Sequence, residues 1–243
     1  MRSRIAVLAS GSGTNLQAVL DHLDALGDAR AGEVVVVASD RPDARALARA
    51  ADRGVPSAII RTAAAASGAE PLDDVLREHS VDLIALAGYL RLVPADTVDR
   101  FRGRIVNVHP ALLPAFGGAG MYGARVHKAV LDAGATVSGV TVHFVDRAYD
   151  RGPVIAQWPV PVLASDTAAS VAARVLRVEH VLYPIAVNAV AAGRISLATD
   201  GTVDRGAAQS AAGAAGASDD WTFCLSASAG PRLAAEIARA IGA

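Results

Sequence analysis

Short, continuous aliphatic runs alternate with segments of helical spacing along the first half of this chain. Residues 4–9, 34–39 and 81–87 are runs of Val, Ile, Leu and Ala, with residues 56–60 a fourth strand candidate. Runs of this length and continuity fit strands buried on both faces. Between them, Leu16, Val19, Leu20 and Leu23 share one helical face, residues 45–53 form a helix ending at Gly54, and residues 72–79 form another. Strand–helix alternation of this kind predicts a parallel sheet with right-handed crossovers. Residues 63–69 carry little information and fit a loop or a helix start. Further on, residues 125–133 are expected to be helical. Residues 138–144 and 154–162 are expected to be strands that pair antiparallel. Residues 166–192 form a long helix with Val171, Val175, Val178, Leu182 and Ile185 on its apolar face, and Pro184 inside it predicts a kink.

Composition decides what the chain is not expected to do. The 243 residues are 52% hydrophobic but only 4% aromatic, so the core is aliphatic and packed with small residues. A net charge of −1 lacks the basic footprint of a nucleic-acid binder. One cysteine, Cys224, excludes an intrachain disulfide and a cysteine-clustered metal site. No apolar run reaches the length of a membrane span, and Gly and Ser break the first one as no signal peptide would. The expectation is a cytoplasmic protein acting on small molecules, monomer or homodimer, without nucleic-acid or membrane partners. Residues 1–200 form the expected domain. Residues 201–243 form a low-complexity tail, because 206–218 are almost wholly Ala, Gly, Ser and Gln. Residues 231–241 fit a short terminal helix.

Two places carry chemistry. After the first strand comes Ser10-Gly11-Ser12-Gly13-Thr14-Asn15 and then a helix. Backbone N–H groups and the positive helix end converge there on an anion such as a phosphate. A third glycine of the dinucleotide pattern is missing, since residue 16 is Leu, although Asp40 stands roughly where a ribose-binding acid would. A tight turn with no ligand is the plain alternative. The second place is Ile105-Val106-Asn107-Val108-His109-Pro110. Side chains two apart share one face of a strand, so Asn107 and His109 point at the same spot. Asp150, in a Gly/Pro loop after the later strand, can orient an imidazole. An amide donor, a proton-carrying histidine and a carboxylate suit oxyanion stabilisation and proton transfer in acyl transfer without a covalent nucleophile. Taken singly, His109 could be a satisfied core histidine and Asp150 an ordinary turn residue. Pro110 and Pro114 bracket a rigid loop just past the strand, where open α/β sheets place ligands. Residues 115–123 hold four glycines in nine residues, which predicts a mobile cover.

The motifs Ile5–Gln17, Ala87-Gly88-Tyr89-Leu90-Arg91, Asn107–Pro114, Val142–Val145 and Asp150–Ile155 follow one another in order. In this the chain resembles the folate-dependent phosphoribosylglycinamide formyltransferases (glycinamide ribonucleotide transformylases) of purine synthesis, over roughly residues 4–196. The resemblance implies the formyltransferase fold, a Rossmann-like, mostly parallel twisted sheet flanked by helices. It implies formyl transfer from 10-formyltetrahydrofolate, a co-substrate, to the amine of phosphoribosylglycinamide. It implies that Gly13, Thr14 and Asn15 bind the substrate phosphate, and that Glu179 contacts its ribosyl or amine end. Leu90, Arg91, Leu92 and Val93, with Asn107, would hold the folate. Asp146, Arg147, Ala148, Tyr149 and Asp150 would cradle its pterin through backbone groups. Asn107, His109 and Asp150 would be catalytic, with His109 the general acid and Asp150 raising its pKa. No metal is required, since an imidazolium supplies the electrophile.

The chain departs from that pattern in three places. The stretch after the third strand is alanine-rich where the family commonly has a folate-contacting arginine, with Arg61 a stand-in and the contact unassigned. The loop 116–122 is longer than the family's shortest form, and the tail matches nothing. Rival functions differ in what else they need. A methionyl-tRNA formyltransferase would add a basic C-terminal domain, and a formyltetrahydrofolate hydrolase an N-terminal regulatory domain, while here the first strand starts at Arg4. A nicotinamide-dependent oxidoreductase could use the glycine loop and Asp40 but leaves Asn107, His109 and Asp150 unexplained together.

Overall fold

The computed structural model describes residues 1–60, 70–205 and 231–241. A seven-stranded sheet runs through it: β1 (Ser3–Leu8), β2 (Gly32–Ser39), β3 (Ser57–Ile59), β4 (Leu83–Leu86), β5 (Ile105–His109), β6 (Val137–Phe144) and β7 (Val154–Pro161). Their spatial order is β3-β2-β1-β4-β5-β6-β7. The first five are parallel, while β5–β6 and β6–β7 are antiparallel. The mostly parallel sheet expected from the alternation is thus present, closed at one edge by an antiparallel pair. The chain reverses its direction of winding between β1 and β4, and ligands in open α/β sheets bind beyond the C-terminal strand ends at such a point.

Alternate residues of β1 serve two cores. Ile5, Val7 and Ala9 pack with α1 (Thr14–Leu26) and α6 (Ala168–Ala191), whereas Ala6 and Leu8 pack with α3 (Leu72–Glu78) and α4 (Ala95–Arg100) on the other face. Helix α4 was not expected from the sequence. It is six residues long, follows Pro94 and buries only Thr97 and Val98, so it has no periodicity to detect. The remaining helices are α2 (Arg45–Asp52), α5 (Ala124–Asp132) and α7 (Pro231–Ile241).

Helix α6 positions the site from above the sheet. Thr167 and Ser170 cap its start reciprocally, and the Arg174 guanidinium holds the Asp166 carboxyl well below the usual carboxylate range. The helix continues through Pro184 to Ala191 as one element. The Tyr183 hydroxyl lies 2.9 Å from the Leu86 carbonyl oxygen and 3.2 Å from that of Val106. That anchor sets Glu179, one turn earlier, over the ends of β4 and β5.

Past position 200 the chain stays attached. A hairpin of β8 (Ser196–Leu197) and β9 (Val203–Asp204) leads to Arg205, whose guanidinium donates to the carbonyls of Val154 and Ile155 at 2.9 and 3.3 Å. Helix α7 packs on α6: Ile237 is fully buried in the larger core, and Arg177 donates to the Ala240 carbonyl at 3.3 Å. The alanine-rich stretches 63–69 and 206–218, and Arg61, lie outside the described residues. Among the described residues no helix is long and apolar enough to cross a membrane.

Candidate active site

A cleft of about 630 Å³ opens at the C-terminal ends of β1, β4 and β5. Asn107 and His109, two apart on β5, both face it, as their spacing predicts. Antiparallel register sets His143 of β6 directly opposite Asn107. His143 Nδ1 lies 2.8 Å from the Phe144 carbonyl oxygen, which can only accept, so that nitrogen carries the hydrogen. Nε2 is then the lone pair that accepts from Asn107 Nδ2 at 3.1 Å, which fixes the orientation of the asparagine amide. Burial pushes the His143 imidazole below its ordinary value, in keeping with a neutral ring.

His109 is 3% exposed. Its Nε2 donates to the Phe116 carbonyl oxygen at 2.9 Å, and its Nδ1 lies 3.5 Å from Asp150 Oδ2. A neutral ring would turn a lone pair toward that carboxylate, whereas a protonated ring satisfies both sides. The same oxygen accepts the Gly118 N–H at 2.9 Å, and Oδ1 stands 3.7 Å from His143 Nε2. Asp150 reaches this place from a left-handed backbone conformation, φ 54°. At Gly152, two residues on, a Cβ would come within 1.9 Å of the Phe144 carbonyl oxygen, so only glycine lets the loop close here. The net shift of His109 differs from the expectation. Asp150 and the Phe116 carbonyl do favour its charged form, but burial outweighs them and its pKa lies below the ordinary value. The expected mobile cover, residues 115–123, is tied down at Phe116 and Gly118 by these same two bonds.

At the other end of the cleft, Gly13 caps α1 with a left-handed φ of 69°. Asn15, on that helix's first turn, donates from Nδ2 to Glu179 Oε2 at 2.7 Å. Its own Oδ1 is buried and has no partner among the described residues. Glu179 is buried, and burial lifts its carboxyl to about 7 against the lowering effect of the Asn15 bond. Of the residues singled out from sequence, Asn15, Leu90, Arg91, Leu92, Val93, Asn107, Ala148, Tyr149, Asp150 and Glu179 line the same cleft as His109. Gly13 and Thr14 stand at the helix start beside it.

Asp146 and Arg147 are not among the lining residues. Asp146 Oδ1 accepts the Ala148 N–H at 2.9 Å and closes the loop on itself, while Arg147 is ion-paired to Asp99 of α4. Arg91 pairs with Asp40 at 3.2 Å, and Asp40 also accepts from Ser10 at 2.6 Å. Asp40 is therefore engaged in holding the β1 and β4 loops together, which removes the case for a ribose-binding acid. Sequence reasoning gave no role to His143 or to His127 of α5, both buried and both lining the cleft. The single polar residue inside the apolar run Val142–Val145 was a usable signal for His143. His127 follows Val126 on a helix and carries no such signal.

A strand-borne amide and imidazole backed by a carboxylate, set across from an anion-type helix start, is an arrangement chemically suited to acyl transfer. Residues 3–187 match the family of formyl transferases, and the chain belongs to that family. Within it, the chain is 43% identical to the chloroplastic phosphoribosylglycinamide formyltransferase of Arabidopsis thaliana, over 82% of this chain and 69% of that protein. It is 37% identical to the trifunctional purine biosynthetic protein adenosine-3 of Bos taurus, over 83% of this chain but only 20% of that protein. The crystal structure of glycinamide ribonucleotide transformylase 1 from Symbiobacterium toebii superposes with a TM-score of 0.74 at 42% identity, covering 84% of this chain and 93% of that one.

Proposed function

We propose that this chain transfers the formyl group of 10-formyltetrahydrofolate to the amine of phosphoribosylglycinamide, a step of purine synthesis. The observation that carries this is the meeting of Asn107, His109 and Asp150 on one wall of a cleft that also reaches the start of α1. The apolar wall of Leu90, Leu92, Val93 and Tyr149 suits a flat folate ring system, with the 146–150 loop offering backbone groups to its pterin. Gly13, Thr14 and Asn15 suit the phosphate of the acceptor, and Glu179 its ribosyl or amine end.

In this scheme the acceptor amine attacks the formyl carbon, and negative charge develops on the formyl oxygen. Asn107 Nδ2–H and protonated His109 supply the hydrogen bonds to that charge. Removing one such donor typically costs about 3–4 kcal/mol of barrier. Because Phe116 occupies His109 Nε2 in the structure, the formyl oxygen takes over the place of that loop carbonyl. Asp150 faces the other ring nitrogen and offsets part of the burial that disfavours the imidazolium. As the bond to the folate nitrogen breaks, the amine gives up a proton and the departing nitrogen gains one.

The test is a formyl-transfer assay with both substrates, followed at the folate chromophore and by mass analysis of the ribonucleotide. The expected result is formylated ribonucleotide formed one for one with tetrahydrofolate. Formate released whether or not the amine is present would identify a hydrolase instead, and an unchanged folate would overturn the proposal.

A further inference from the structure

Strand register puts His109 at the head of a polar row that the scheme above does not use. Thr141 of β6 stands directly opposite His109 of β5, and Gln157 of β7 stands directly opposite Thr141. Opposed residues of antiparallel strands share a face of the sheet, so the three side chains stand on one side. Thr141 is fully buried between Val140 and Val142. A hydroxyl there needs partners, and it finds them in the loop that leaves β5 just after His109. Its Oγ1–H donates to the Ala111 carbonyl at 2.6 Å, and its oxygen accepts the Leu113 N–H at 3.0 Å. Gln157 closes the set, donating from Nε2 to the Leu113 carbonyl at 2.8 Å and to Thr141 Oγ1 at 3.0 Å. The Thr141 hydroxyl is thereby fully used, as are both hydrogens of the Gln157 amide.

These bonds fix the base of the loop whose tip meets the site. Leu113 is held through both its N–H and its carbonyl, and Leu112 is packed so closely on Gly139 that a Cβ there would come within 2.5 Å of Leu112 Cδ2. The Leu113 side chain lies against Gly117 in turn. A Cβ on Gly117 would come within 2.4 Å of Leu113 Cδ2 and 3.2 Å of Asp150 Cβ. Leu113 is therefore the step on which the loop tip and Asp150 come together. From that tip the Phe116 carbonyl reaches His109, and the Gly118 N–H reaches Asp150. In the scheme the formyl oxygen takes the place of the Phe116 carbonyl, so the tip has to yield while Asp150 stays aligned on His109. A base held from behind allows both. Neither Gln157 nor Thr141 lines the cleft.

We propose that Gln157 and Thr141 are positioning residues for the transfer, a clamp on Leu113 that keeps Asp150 opposite His109 while the loop tip gives way. The inference deepens the function proposed above and rests on it for the reaction that is assayed. Neither side chain touches a reacting atom, so the clamp acts on turnover rather than on the binding of either substrate. The titratable groups that bear on His109 are Asp150, His143 of β6 and His127 of α5. The bonds of the clamp run to Ala111 and Leu113 and to none of these three, so the loop is the route by which it reaches His109.

The experiment compares wild type with Gln157→Met, Thr141→Val and Thr141→Ser, each assayed well below its own unfolding midpoint. Methionine keeps the length of Gln157 without its donors, valine keeps the shape of Thr141 without its hydroxyl, and serine keeps the hydroxyl. Three quantities are read: kcat, KM for each substrate, and the NMR titration of the His109 imidazole, which needs no turnover. The expected result is a fall in kcat of about tenfold to a hundredfold in Gln157→Met and Thr141→Val, the size of a small misplacement of catalytic groups. Both KM values should stay within about twofold, and Thr141→Ser should turn over nearly as wild type does. In the two disabled variants His109 should titrate at lower pH, because Asp150 is no longer held where it favours the charged ring. Lower stability with kcat within about twofold of wild type and an unmoved His109 titration would make the clamp purely structural and overturn the proposal. A wild-type chain that transfers no formyl group, while both variants still move the His109 titration, would sink the function alone and leave the clamp standing.

Discussion

Glu179→Gln isolates what it costs to keep an acid on the cleft wall. Glu179 is 6% exposed, accepts one hydrogen bond from Asn15 at 2.7 Å, and has its carboxyl lifted by burial from 4.5 to about 7. One pH unit corresponds to about 1.4 kcal/mol, so ionising this group in the folded chain is harder than in the unfolded chain by about 3 kcal/mol. The folded pKa of an acid is raised here, so between 4.5 and about 7 the folded chain binds more protons than the unfolded one. Stability therefore falls as pH rises through that window and levels off above it. Glutamine keeps the shape and an acceptor for Asn15 but never ionises. Urea unfolding across the range should show the two proteins alike near the acid end. At about pH 8 the variant should be more stable by about 3 kcal/mol, because only the wild type loses stability across the window and the Asn15 bond is already contained in its raised pKa. A variant with the same pH slope as wild type, or one less stable at about pH 8, would refute the account of a buried, strained carboxyl.

Gly13→Val should raise KM for the ribonucleotide far more than KM for the folate, because its Cβ would strike Ala46 and its φ of 69° is hostile to a β-branched residue. Steady-state kinetics with each substrate varied in turn checks this, and equal effects on both would count against phosphate docking at the turn. Ile237→Ala should cost about 2–4 kcal/mol of stability by denaturant unfolding, since Ile237 is fully buried against the core. An unchanged midpoint would mean that α7 does not dock on α6 in solution, and that the tail is as dispensable as its composition implies.

The parts legible in the sequence were those that depend on short-range pattern. Buried parallel strands must be continuously apolar, so β1, β2 and β4 announced themselves, and the i, i+2 spacing of Asn107 and His109 put both in one cleft. What escaped depends on contacts distant in sequence. His143 orients Asn107 only through the β5–β6 register. The carbonyl on His109 comes from a loop seven residues later, and no side-chain pattern encodes a backbone acceptor. Arg147 pairs with Asp99, 48 residues away, and no local pattern encodes that ion pair. The direction of the His109 shift needed the depth of burial, which a sequence does not state. Helix α4 and the two-residue strands β8 and β9 are too short for periodicity to show.

The central claim is that Asp150 sustains the acid form of His109. A carboxylate 3.5 Å from a ring nitrogen attracts the imidazolium by about 5 kcal/mol at an effective dielectric constant of about 20, and burial opposes it. The direct measurement is an NMR titration of the His109 imidazole in wild type and Asp150→Asn, with the pH dependence of kcat/KM recorded on both. His109 already titrates below an ordinary histidine, so losing the carboxylate must move it lower still. The acid form then survives only to a lower pH. The predicted result is that the alkaline fall in rate moves down together with the titration, while turnover drops by roughly two to three orders of magnitude. A His109 that titrates unchanged in Asp150→Asn, with turnover near that of wild type, would contradict the claim.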